Sequence, residues 1–330
     1  MKSWKPRSLR IIGAVILFAL FLPLATAVAA EEAYPTKPVR LIIPFPPGGT
    51  NDILGRLLGT KLSERLGKQF IADNRSGAGG LLGMEVAAKS QPDGYTLLII
   101  PATYTVQLAL YKTPFKSSDL IPVAGLGSGP LMLATNPAVP ANSLKELIAL
   151  AKKQPGKLIC AVGGVGTSTH VGSELFKSMA GIDVEIVQFK GGNPAMIDVM
   201  GGHSQMTLGP IMTLMPQIKA GKLRAMGVSG KKRTPILPDV PAIAEVVPQF
   251  EVNNWWGIVA PKGTPKPIID RLNKELAVVL GMPDVKKLFE TQGAEAGLTS
   301  PAEFGALIES EIHKWGDVIK RYNIQAEPPE

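Results

Sequence analysis

Hydrophobic and polar positions along this chain follow two periods that take turns. Val39-Arg40-Leu41-Ile42-Ile43 is a short run of strand-forming residues. From Ile53 onward apolar residues fall at 53, 54, 57, 58, 62 and 66, the spacing of one helix face. The stretch 44–52 between them, P-F-P-P-G-G-T-N-D, reads as a strand-to-helix turn. Paired glycines mark its corner, and Thr50, Asn51 or Asp52 is available as N-cap. The first amides of a helix have no partner inside it, and the dipole makes that end electropositive, so the turn predicts an anion site. Gly48 and Gly49 carry no Cβ, which lets a ligand approach the backbone closely.

The alternation continues. Strands at 69–72 and 95–100 enclose the loop 73–80 (D-N-R-S-G-A-G-G) and a helix over 81–89. A helix over 144–153 begins at a Ser143/Glu146 capping box and stops before Gly156. The strand 158–162 runs into G-G-V-G-T-S-T at 163–169 and a helix over 170–179. The strand 184–189 runs into K-G-G-N-P at 190–194 and a helix over 195–200, with Pro194 in its first turn. Strands at 224–229 and 255–260 and helices at 266–280, 284–291 and 301–322 complete the reading. The pattern predicts an α/β fold, each domain a mostly parallel sheet flanked by helices. A strand, a glycine loop and a helix recur after Ile43, before Leu81, after Val162 and after Phe189. In open α/β sheets ligands sit over helix N-termini at the carboxyl ends of strands. Two such halves facing each other predict a cleft lined by amides from both sides.

A chain of 330 residues is long enough for two domains with their own cores. Aromatics at 6% with 35 glycines and 29 prolines point to many tight loops rather than a helical bundle. The N-terminus reads separately: Lys2, Lys5, Arg7 and Arg10 without an acid, an apolar run over 11–24, and Val28-Ala29-Ala30. These are the three regions of a secretory signal with cleavage near Ala30; an uncleaved anchor is the alternative, and the apolar run is short for one. Without residues 1–30 the formal net charge falls from +8 to +4. That excess is too small and dispersed for nucleic acid, and it suits an anionic small ligand. Cys160 is the single cysteine, in a strand-like run, and reads as a buried structural thiol; no intrachain disulfide can form.

Enzyme signatures are missing. There is no phosphate loop of the G-x-x-x-x-G-K-[ST] type and no G-x-S-x-G nucleophile turn. The run 164–169 lacks the third glycine of a dinucleotide fingerprint, and Ser229-Gly230-Lys231-Lys232 matches S-x-x-K at a spacing common by chance. His170, His203 and His313 lie far apart, so no metal site is expected, and no cofactor. Thr167 and Ser168 are the best side-chain carboxylate donors, because hydroxyls stand there beside free amides. Lys190, at a strand end, is placed to meet a ligand or simply solvent; His170 is placed to bond the glycine loop or the ligand. Arg56 reads as a surface or packing arginine, Arg75 as a carboxylate partner or a loop brace, Asp198 as a solvated or capping acid, and Trp255 and Trp256 as packing where the chain crosses between domains.

Taken in order, Y-P-T-K-P-V-R-L-I-I-P-F-P-P-G-G-T-N-D, D-N-R-S-G-A-G-G, Q-P-D-G-Y-T-L-L, G-G-V-G-T-S-T-H, F-K-G-G-N-P-A, A-G-K-L-R-A-M, L-P-D-V-P, W-G-I-V-A-P-K-G-T-P and the late Trp315 resemble the Bug family of periplasmic substrate-binding proteins, the receptors of tripartite tricarboxylate transporters. The resemblance implies two α/β domains joined by crossing strands and closing like a clamshell. They would comprise 34–133 plus 255–330, and 134–254. It implies a first-domain carboxylate loop of Pro46, Gly48, Gly49, Thr50 and Asp52, with Ala78 and Thr103 nearby. From the second domain it implies Gly163, Gly164, Gly166, Thr167, Ser168 and His170, then Lys190 and Gly191. Three positions depart from the family pattern: Phe189 replaces a tyrosine, Gln205 stands where the family has an acid, and Ala161 or Gly163 stands where serine is frequent. The expected protein is an exported monomer, not an enzyme. It captures a small carboxylate for integral membrane transporter subunits. A ligand sensor feeding a signalling system is the alternative, and an enzyme using His170 with Ser168 a weaker rival.

Overall fold

Ten strands form, most of the inner ones on buried β-branched and leucine-rich runs: β1 Val39–Ile43, β2 Phe70–Asn74, β3 Thr96–Pro101, β4 Leu120–Thr135, β5 Ile159–Val162, β6 Glu185–Gln188, β7 Met206–Pro210, β8 Arg224–Val228, β9 Asn253–Pro261 and the short β10 Glu295–Ala296, all among the described residues. Between them lie α1 Thr50–Leu66, α2 Leu81–Ala88, α3 Thr103–Leu110, α4 Leu144–Lys153, α5 Ser168–Ala180, α6 Gly192–Met200, α7 Ile211–Lys219, α8 Lys266–Leu280, α9 Pro283–Thr291 and α10 Pro301–Arg321. The structure is a computed structural model that describes residues 1–2, 34–291 and 293–324. Residues 3–30 of the expected signal segment, with its cleavage point near Ala30, lie outside the described residues. Residues 1–36 and 37–330 are separate compact units, and all the elements above belong to 37–330.

The strands join one sheet in the order β2-β1-β3-β9-β4-β7-β5-β6, with β8 and β10 also pairing β4. Each outer triplet follows the expected strand–helix alternation: β2-β1-β3 pair in parallel on one side, and β7-β5-β6 on the other. At the centre, β9 runs antiparallel to β3 and to β4, and β4 runs antiparallel to β7 and β8. Mostly parallel therefore holds for the flanks, and the sheet as a whole is mixed. The crossing strands cause the difference, since each runs against its neighbours. β4 pairs β9 from Leu120↔Pro261 to Pro130↔Asn253, then continues into pairs with β7 from Leu131 onward. One strand thus belongs to both halves. A shift in register at Gly125/Gly127 accompanies a φ of 148° at Gly127. A Cβ there would lie 2.3 Å from the Glu295 carbonyl, so only glycine fits.

Two local expectations change. The N-cap of α1 is Gly49, not Thr50, Asn51 or Asp52; Asp52 instead reaches back from the first turn to the Gly48 N–H at 2.9 Å. At α4 the Ser143 hydroxyl accepts from Glu146 N–H at 3.2 Å, but the Glu146 carboxylate takes the Asn142 N–H, one residue earlier than a capping box requires. α10 ties the halves together. Its Trp315 is fully buried in one cluster with Val106 of α3, Val171 of α5 and Phe250. Cys160 lies in the same cluster, donates to Ser173 Oγ at 3.5 Å, and is pushed up to about 11 by burial, which leaves it an unreactive thiol.

Candidate functional site

Five helices begin at one place. The N-terminal residues of α1 (Gly49, Thr50, Asn51), α3 (Thr103), α5 (Thr167, Ser168, Thr169), α6 (Gly191, Gly192, Asn193) and α7 (Pro210, Thr213) all line one cavity of about 290 Å³. Each follows the carboxyl end of a strand: α7 directly after β7, α3 just after β3, and α1, α5 and α6 after the glycine-bearing loops that follow β1, β5 and β6. Phe45, Pro46, Pro47, Pro101, Leu131, Pro194 and Trp256 supply apolar wall. Lys190 is the one charged side chain among the lining residues, and it forms no ion pair among the described residues. A single cation and five positive helix ends with no lining acid make this space favourable for an anion.

The first loop is held from below. Asp52 takes the Gly48 N–H, Arg56 Nε and Asn74 Nδ2, each at 2.9 Å, and Asn74 Nδ2 also donates to the Phe45 carbonyl at 3.0 Å. Burial alone would raise the Asp52 carboxyl, but hydrogen bonds from Arg56, Gly48 and Asn74, with the Arg56 charge, hold it below the usual value. Asp52 is therefore a buried brace beneath the loop and does not line the cavity. Arg75 donates to Asp73 at 3.0 Å and braces the neighbouring loop.

The second loop is held by its own hydroxyls. Thr167 caps α5, accepting the His170 N–H at 3.2 Å and donating to the Gly164 carbonyl at 2.8 Å. Gly163 N–H donates to Thr169 Oγ1 at 3.3 Å. The His170 Nδ1 accepts the Gly166 N–H at 3.3 Å, and burial pushes the imidazole down to about 4, so it is neutral. Ser168 Oγ lies 3.3 Å from Thr103 Oγ1. With Nδ1 bound to the loop backbone, and no Ser168–His170 side-chain bond among the described residues, the pair does not form a nucleophile and base.

Of the residues expected at the site, Pro46, Gly49, Thr50, Thr103, Gly163, Thr167, Ser168, Lys190 and Gly191 line the cavity. Gly48, Asp52, Ala78, Gly164, Gly166 and His170 do not. Gly48 and Gly166 offer their amides to Asp52 and His170 instead, and Ala78 opens the short turn Ala78–Gly80 behind the wall. Leu131, Pro101, Pro210, Thr213 and Asn254 line the cavity without any signal in the sequence. Pro101 and Pro210 end β3 and β7, Asn254 is near the start of β9, Thr213 is in the first turn of α7 and Leu131 lies inside β4, and their convergence is set by the sheet order. Three polar atoms on cavity-lining residues are buried with no partner among the described residues: Thr50 Oγ1, Asn51 Oδ1 and Trp256 Nε1.

The halves touch across this space. Asn193 Nδ2 donates to the Gly48 carbonyl at 3.2 Å, Ser168 N–H to Thr103 Oγ1 at 3.2 Å, and Gln107 Nε2 to both the Gly79 and Val165 carbonyls, at 3.3 and 3.2 Å.

Residues 54–324 match the model of the tripartite tricarboxylate transporter family receptor. Protein BugT of Bordetella pertussis is 35% identical over 316 residues, covering 94% of this chain and 97% of its own. Among solved structures, R. palustris Rpa4515 with adipate superposes with a TM-score of 0.85 at 34% identity, over 88% of this chain and 99% of that one. MatC (Rpa3494) from Rhodopseudomonas palustris with bound malate gives 0.82 at 29% identity, over 87% and 100%. A cavity lined by opposed helix starts, without a catalytic pair, agrees with these likenesses. The chain belongs to the tripartite tricarboxylate transporter family receptors, the solute-binding family of the Bug proteins and not a family of enzymes.

Proposed function

We propose that the protein captures a small organic carboxylate between its two halves and delivers it to the membrane subunits of a tripartite tricarboxylate-type transporter. The observation that carries this is the convergence of five helix N-termini and Lys190 on one cavity with no acidic lining residue. Bound adipate and malate in two relatives support the ligand class. The domains are 34–133 with 255–330, and 134–254, and they close on the ligand. The N-terminal segment directs export, with cleavage near Ala30, so capture takes place in the periplasm. Binding draws mainly on amides and hydroxyls from Gly49, Thr50, Thr167 and Ser168. Each hydrogen bond to a charged group contributes about 1.5–3 kcal/mol, so a few of them reach micromolar affinity after the ordering cost.

Thermal unfolding with a panel of mono-, di- and tricarboxylates and aromatic acids tests the reading. A ligand present at about 1,000 times Kd adds about 4 kcal/mol of stability and raises the midpoint. A broad panel in which no acid moves the melting temperature would sink the proposal.

A further inference from the structure

Alternate residues of β9 face opposite sides, and the side that carries Asn254 and Trp256 is cavity wall. Asn253 and Trp255 point the other way: Asn253 Nδ2 donates to Glu251 Oε1 at 2.8 Å, and Trp255 stands edge-to-face with Phe304 at 5.5 Å. Asn254 pairs with Gly129 of β4, close to where β4 passes from β9 to β7. It is 5% exposed. Its carboxamide forms no hydrogen bond among the described residues, yet neither its nitrogen nor its oxygen is sealed, whereas Trp256 Nε1 nearby is. In a residue this deeply buried, the open atoms face the cavity it lines. The hydroxyls of Thr103, Thr167, Ser168, Thr169 and Thr213 around the same space already bond within the protein. A carboxamide brings both a donor and an acceptor, and desolvating either without a partner is costly. A carboxylate set against it satisfies the N–H but confronts Oδ1 with another acceptor; a neutral amide satisfies both. The charge balance points the same way, since Lys190 is the one charged lining side chain and matches one carboxylate.

We infer that Asn254 is a specificity-determining residue that reads a neutral carboxamide on the ligand, apart from the carboxylate held by the helix starts. The ligand class this selects is an acid amide, a monoanion whose second polar group both donates and accepts, ahead of the diacid of the same shape. The inference rests on the carboxylate reading above and deepens it by assigning the uncharged part of the ligand.

Isothermal titration tests it with three half-amides, succinamate, glutaramate and adipamate. Each is set beside the diacid of the same shape (succinate, glutarate, adipate) and the unsubstituted acid of equal carbon number (butyrate, pentanoate, hexanoate). At the best-fitting length the wild type should bind the half-amide about tenfold or more tightly than either. Asn254→Leu keeps similar bulk and removes both polar atoms, so half-amide and unsubstituted acid should come within about twofold of each other. Asn254→Asp is nearly isosteric, keeps only acceptors and adds a charge. It should weaken the diacids most and leave the half-amide ahead, and it stands in should Asn254→Leu fail to fold by circular dichroism. A wild type that binds the diacid as tightly as the half-amide, or more tightly, overturns the inference, because a second carboxylate then suits the space. So does an Asn254→Leu protein that weakens all the acids equally, which is packing alone, or one that keeps the full preference, which puts the amide elsewhere. An Asn254→Asp protein that weakens half-amide and diacid by the same factor overturns it too. Each of these outcomes, with acids still bound by the wild type, leaves the carboxylate reading standing; a wild type that binds none of the nine acids removes both.

Discussion

His170 shows a titratable side chain placed for architecture. It is 2% exposed in the first turn of α5, and its Nδ1 fixes the Gly166 amide. Burial pushes its pKa down to about 4, against about 6.5 for the unfolded chain. Above the higher value neither state is protonated and stability is full. As pH falls through this window the unfolded chain binds a proton that the native one refuses, so stability drops, by about 3 kcal/mol in total, and then levels off. Asp52 acts lower down: its folded pKa lies below 3.8, so its contribution is lost only as pH falls through that depressed value. His170→Asn keeps an acceptor near Gly166 and removes the imidazole. Urea midpoints taken from about pH 7 to about pH 4.5 should fall for the wild type and flatten in the variant. Two parallel profiles would show that His170 is not the group responsible. Sequence reasoning left open whether this residue bonds the loop or the ligand. Burial decided it, and burial is a property of the neighbours.

Elements were legible where their own periodicity forms them. α8 spans Lys266–Leu280, the range expected from its apolar spacing, and the strand–glycine loop–helix junctions at α1, α5 and α6 stand where expected. β4 was not legible. Its sixteen residues hold Pro122, Gly125, Gly127, Gly129 and Pro130, which in sequence read as punctuation. In the fold those glycines are spacers: a Cβ at Gly125 or Gly129 would lie 2.6 Å from Thr299 Oγ1 or 2.7 Å from Ala294 Cβ. α7 escaped notice for a similar reason, since Pro216 lies inside it. The same close packing makes β9 sensitive. A Cβ at Gly257 would sit 1.9 Å from Phe304 Cζ, on a side chain that is fully buried. Gly257→Ala should therefore destabilise by about 1–3 kcal/mol through overpacking, read as a lower urea midpoint with an unchanged slope. Adding Phe304→Leu should recover part of the loss, because the two side chains compete for one space. A Gly257→Ala protein as stable as the wild type would show that the crossing strands have slack that the packing denies.

At the scale of the whole molecule, three of the repeated junctions, those opening α1, α5 and α6, meet at the cavity, where the starts of α3 and α7, which the sequence did not mark, join them, while the junction before α2 stays outside the lining. The contacts that join the halves were not foreseeable, because they pair residues far apart in sequence without any local pattern. Gln107 is the clearest. It is fully buried on α3, and one amide nitrogen serves the Gly79 carbonyl in the first half and the Val165 carbonyl in the second. On the proposed closure, separated halves would leave both carbonyls to water, so these bonds would weigh specifically on the joined form. Gln107→Leu keeps similar bulk and removes both donors. At about 0.5–1.5 kcal/mol per bond, the joined form should lose roughly 1–3 kcal/mol relative to the separated one. If the ligand binds the joined form, apparent affinity falls in proportion to the population lost, up to about a hundredfold at the top of that range. Gln107 does not line the cavity, so the loss would come from the equilibrium between forms rather than from a ligand contact. X-ray scattering separates the two cases: the unliganded variant should have a larger radius of gyration than the unliganded wild type, and saturating ligand should bring both to one value. A variant with weaker binding but unchanged scattering would place Gln107 in the wall of the site, and one with unchanged binding and scattering would show that Asn193 and Ser168 hold the halves together without it.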